Sequence, residues 1–115
     1  AMNEFERKVI SQIASLDNIA FWHRNPSRKP SAFSINGFKS DHYPDFILIT
    51  KSGTVILLET KGEHLSNPEN QSKCHLGNKW QELAGDKFKY FMVFERNPID
   101  GAWTVDAVKR MVGML

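Results

Sequence analysis

The sequence predicts an α/β domain built on a central sheet with helices on both of its faces. Two strand-like runs, residues 46–50 and 55–60, are rich in Ile, Leu and Val on both alternating sets of positions, so the hairpin they form needs cover on each side. Apolar residues recur at helical spacing near both ends of the chain and again after the hairpin. The resulting order is helix, strand, hairpin, helix, strand, helix, with no internal repeat and no linker. At 115 residues and 41% hydrophobic content, residues 1–115 suit one domain with a modest core. The opening Ala-Met, with no initiator Met in front, is what a domain excised from a larger protein would show.

In residues 3–16, Phe5, Val9, Ile13 and Leu16 form an apolar stripe that Ile10 widens, which reads as an amphipathic helix. Asn3 is its expected N-cap, with Glu6 three residues later as the capping-box partner. Two prolines in "HRNPSRKP" mark a loop, and "SAFSINGF" alternates Phe33 and Ile35 as a short strand would. The turn at Ser52 and Gly53 joins the two strongest strands. Leu76, Trp80 and Leu83 mark a helix over residues 71–84, which Gly85 and Asp86 terminate. "KFKYFMVFE" is a further strand, "RNPIDG" a turn, and "TVDAVKRMVGML" a last helix opened by Trp103.

The hairpin carries the chemistry. Alternation puts Val55, Leu57, Glu59 and Lys61 on one face of their strand, and Asp45, Ile47 and Ile49 on one face of the preceding one. A two-residue turn at Ser52 and Gly53 would set Asp45 opposite Thr60. A three-residue connection, residues 51–53 with Gly53 left-handed, sets Asp45 opposite Glu59. The second is preferred, because adjacent carboxylates repel unless a divalent cation lies between them, and such a cation gives their adjacency a purpose. Mg²⁺ would take an oxygen from Asp45, one from Glu59 and the backbone carbonyl of Thr60, with water completing its shell. Lys61 would hold a water against a phosphate oxygen and stabilise negative charge as it develops. Phosphodiester hydrolysis is the reaction that suits this set. An ordinary cross-strand ion pair explains the same letters more blandly.

Pro44 and Asp45, followed one hairpin later by Glu59, Thr60 and Lys61, resemble the PD-(D/E)xK nuclease superfamily. More narrowly, "YPDFILI" and "VILLETKG", with Trp22, Asn25 and Phe33 upstream and "KWQEL" and "KYFMVFE" downstream, resemble the C-terminal endonuclease domain of helicase-containing, type III-like restriction subunits. The resemblance covers residues 4–95. It implies a restriction-endonuclease-like core, a central mixed sheet flanked by helices, and a Mg²⁺-dependent DNA endonuclease in a restriction-modification system, with Mn²⁺ as a substitute ion. It further implies double-stranded DNA as substrate, an attached helicase or translocase region, a methyltransferase subunit and a cytoplasmic setting. In many members a Glu on the first helix joins the metal, and Glu6 is the matching position. The chain has no phosphate-binding Gly-rich loop, so nucleotide binding is not expected of these residues. A non-catalytic DNA-binding or interaction module on the same fold, and an RNA or Holliday-junction phosphodiesterase, are the alternatives.

Net charge is only +2 with a pI near 8.8, too little for binding polyanions on bulk charge. Residues 21–40, however, hold Arg24, Arg28, Lys29 and Lys39 and no acid. Arg24, Arg28 and Lys29 are therefore candidate phosphate contacts, with Lys73 and Lys79 on the following helix as further ones. Solvated charge accounts for each equally well. Cys74 is alone, which excludes an internal disulfide and suits a reducing compartment. No apolar run reaches the length of a membrane span. His64, Cys74 and His75 lack the paired spacing of a structural zinc site. His42 reads as a loop histidine, and Trp22 and Trp80 as packing residues.

Overall fold

A computed structural model describes residues 2–26, 32–36, 41–62 and 68–115. Arg28, Lys29, Lys39 and His64 lie outside the described residues.

Helix α1 (Glu4–Ala14) begins as its capping box dictates. Glu6 N–H donates to Asn3 Oδ1 and Asn3 N–H donates to Glu6 Oε1, each at 2.8 Å. It buries Phe5, Val9, Ile10 and Ile13. Strand β1 (Ile19–Arg24) follows and pairs antiparallel with β2 (Phe46–Thr50). The alternation at Phe33 and Ile35 predicts a strand that does not join the sheet. Ile35 makes only a two-way bridge with His42, its N–H and carbonyl both bonded at 2.8 Å. The reason is local: both backbone groups of Phe33 are taken by the side-chain amide of Asn25, at 2.8 Å each, and so are withheld from a ladder. The first strand is instead Ile19–Arg24, an edge strand in which only Ile19 is buried.

β2 and β3 (Val55–Lys61) form the hairpin. Ile49 faces Val55, Ile47 faces Leu57 and Phe46 faces Leu58. This is the register of the three-residue connection: Thr50 N–H donates to the Thr54 carbonyl at 2.9 Å, and Gly53 takes φ +93°. Helix α2 (Pro68–Ala84) starts three residues before the expected Gln71, with Pro68 at its first position, where a missing N–H costs nothing. It carries the chain across to β4 (Phe88–Phe94), parallel to β3. Trp103 does not open the last helix. It lies with Thr104 in a short strand β5 (Trp103–Thr104) beside β4, and Thr104 caps α3 (Val105–Gly113) by accepting from Ala107 N–H.

Among the described residues the fold is α/β: a five-stranded mixed sheet, ordered β1-β2-β3-β4-β5, flanked by three helices. α1 and α3 cover the face of Phe46, Leu48, Ile56, Leu58, Phe91 and Val93. α2 covers the opposite face, where Cys74 packs with Leu57, Tyr90, Met92 and Phe94. Glu59 and Lys61 alternate with Leu57 and so belong to this second face. Among the described residues no helix is long and apolar enough to cross a membrane.

Candidate active site

Asp45 sits at the foot of β2, and the hairpin register carried one residue further sets it opposite Glu59. Its backbone is held by Asn25, whose N–H donates to the Asp45 carbonyl at 2.8 Å and whose side-chain amide donates to the Pro44 carbonyl at 2.9 Å. Its carboxylate reaches across the hairpin, where Oδ2 accepts from Thr60 N–H at 2.7 Å and from Thr60 Oγ1 at 2.8 Å. One carboxylate oxygen is thereby committed to β3.

Glu59 is only 4% exposed. Its Oε2 is ion-paired with Lys61 Nζ at 3.1 Å, while its buried Oε1 has no hydrogen-bond partner among the described residues. Burial, reinforced by the negative charge of Asp45, pushes the Glu59 carboxyl up to about 8, and the Lys61 ammonium only partly offsets this. A buried carboxylate with an orphaned oxygen beside a second carboxylate is a costly arrangement that a cation would relieve. The backbone of Thr60 completes the edge. Glu95 N–H donates to the Lys61 carbonyl, so that carbonyl faces β4 and the alternating carbonyl of Thr60 faces β2, the side of Asp45.

The other expected residues are distributed unevenly. Lys73 on α2 pairs with Glu69 at 3.2 Å, and its positive charge helps lower the His42 imidazole and partly offsets the rise at Glu59. Lys79 is more exposed and pairs with Glu82 at 3.6 Å. Both lysines line a pocket of 690 Å³ between α2 and Asp41–His42. Arg24 ends β1, exposed and opposite Phe46. Glu6 is not brought to the carboxylate pair. Its side chain closes the α1 cap, and no group of three or more His, Cys, Asp or Glu side chains placed to hold a metal occurs among the described residues. Cys74 is buried, with Sγ directed to the Asp100 carbonyl at 3.7 Å.

Three neighbours have roles that a reading of the letters alone does not give. His42 is 1% exposed, and its Nε2 shares a 2.8 Å hydrogen bond with the hydroxyl of buried Tyr90. Burial, with Lys73 and Lys61 nearby, lowers the imidazole to about 4, so the ring is neutral. Asn25 is the second, a loop amide that ties Phe33 to Pro44. The signal for Tyr90 is its register: β4 runs parallel to β3 with Tyr90 beside Leu57, on the face of Glu59. Comparison of the chain with protein-family models, with curated proteins and with solved structures found no match.

Proposed function

We propose that this chain is a metal-dependent DNA endonuclease domain with a restriction-endonuclease-like core. The observation that supports it most is the meeting of Asp45 and Glu59 across one hairpin, with a buried Glu59 oxygen that has no partner among the described residues and the Lys61 ammonium 3.1 Å from the other. The donor set fits a hard divalent cation, since it offers only oxygens and one of them lacks any partner among the described residues. Asp45, Glu59 and the Thr60 carbonyl would hold Mg²⁺, or Mn²⁺ in its place, and the bound ion would polarise the phosphodiester and acidify the attacking water.

The chain's own groups do the rest. Lys61 orients the water toward phosphorus and stabilises the negative charge that builds as the water oxygen bonds to phosphorus and the bond to the 3′ oxygen breaks. Asp45 keeps β2 and β3 in register through Thr60, which fixes the spacing of the two carboxylates. Lys73 adds positive potential from α2, and Lys79 and Arg24, with Arg28 and Lys29, are the proposed contacts to flanking phosphates. Double-stranded DNA is the proposed substrate. The family resemblance adds an attached translocase region, a methyltransferase subunit, a restriction-system role and a cytoplasmic setting to the proposal.

Plasmid cleavage in Mg²⁺ and in Mn²⁺, with DNA binding measured in parallel on the full-length protein, tests this reading. Asp45→Asn, Glu59→Gln and Lys61→Met are each expected to lower cleavage by about a hundredfold or more while duplex binding persists. Cleavage retained in all three variants contradicts the site. A parent that binds duplex but cuts in neither ion supports the non-catalytic module, and preferential cutting of RNA or of junctions supports the other phosphodiesterase.

A further inference from the structure

We propose that the Tyr90–His42 hydrogen bond is a positioning strut that fixes the segment carrying Asp45 against the face of Glu59; its catalytic meaning rests on the nuclease reading above.

The strut begins at Gly77 in the middle of α2. A Cβ at that position would come within 2.2 Å of Tyr90 Cζ, so only glycine there lets the phenol lie flat against the helix backbone. Tyr90 is thus wedged between α2 and the sheet, in line with Leu57 on β3, and is 1% exposed. Its hydroxyl emerges at the 41–45 segment and meets His42 Nε2 at 2.8 Å, the two rings edge to face at 5.7 Å. His42 is itself anchored by both backbone bonds to Ile35. Three residues later comes Asp45, whose carboxylate is bonded to Thr60.

Asp45 lies just before β2, outside any regular strand, and Asn25 restrains its backbone from the β1 side. From the α2 side the segment is restrained through His42 and its bond to Tyr90. The bond is between two buried groups and the imidazole is neutral, so the strut does not depend on a charge that solvent or substrate could screen. Gly77, Tyr90 and His42 touch no reacting atom in this account. They act through the placement of Asp45.

Amide hydrogen exchange on the chain decides it. Tyr90→Phe keeps the ring in the Gly77 hollow and removes the hydroxyl. Exchange at the Thr60 amide, which reports the bond to Asp45, is expected to quicken about tenfold, with the α1 and α3 amides of Val9 and Val108 unchanged. His42→Phe should do the same, and the double variant should be no faster than either single one, because all three lose one shared bond. In cleavage assays the Mg²⁺ concentration for half-maximal rate should rise about tenfold in Tyr90→Phe with duplex binding unchanged. Thr60 exchange within about twofold of the parent, or an equal rise at Thr60, Val9 and Val108, overturns the strut. A parent that cuts no DNA removes the nuclease reading, and the exchange result still decides the strut.

Discussion

Glu59 is held where a carboxylate is costly, and that cost has a measurable sign. Its folded-state pKa of about 8 lies above the ordinary 4.5. Between those two pH values the folded chain binds a proton that the unfolded chain has released, so stability falls as pH rises through that window and levels off above it. Glu59→Gln cannot ionise and should lose this dependence. In a chelator, urea unfolding at pH 5 and pH 8 should show the Gln variant gaining stability across the interval, because buried His42, lowered to about 4, favours the folded state as pH rises. The parent should lose stability relative to it, with the variant the more stable at pH 8. An identical pH dependence in both would mean that Glu59 is not the group being strained. Glu6 makes the opposite case, since its carboxylate accepts from Asn3 N–H in the cap of α1. Glu6→Gln preserves a capping-box acceptor, so cleavage should stay within about twofold of the parent. A hundredfold loss would show instead that Glu6 reaches the metal.

Among the elements, the β2–β3 hairpin is the one whose local sequence specifies the most. Gly53 at φ +93° makes the three-residue connection possible, and that connection determines whether Asp45 faces Glu59 or Thr60. Gly53→Ala must hold a Cβ in a left-handed conformation and should lower the unfolding free energy by about 1 kcal/mol, read from urea denaturation. No loss would mean that the turn rearranges without strain. The register was legible because a glycine and two carboxylates within fifteen residues constrain it. β1 was not, because an edge strand exposed at Phe21, Trp22, His23 and Arg24 has no alternating apolar face to announce it. The converse error at Phe33 and Ile35 has a different root: alternation is present there, but Asn25 claims the backbone of Phe33.

Across the whole molecule the two faces of the sheet divide their tasks. The α1 and α3 face is apolar throughout its cluster, whereas the α2 face mixes Leu57, Met92 and Phe94 with Glu59, Lys61, Tyr90 and His42. The pairing of β4 with β3 and the passage of α2 over them bring together residues from 42 to 90, and this long-range part of the site leaves little trace in local spacing. Gly77 shows why: within a helical pattern it reads as a weak helix former, and only the parallel register reveals the phenol it admits. The proposed chemistry therefore turns on whether Glu59 Oε1, the buried carboxylate oxygen without a partner among the described residues, is a cation ligand. Crystals soaked in Mn²⁺ and measured for anomalous scattering test this most directly. The expected result is a peak bridging Asp45 and Glu59, within about 2.0–2.4 Å of an oxygen from each. No peak there, in the free chain or beside bound DNA, would contradict it.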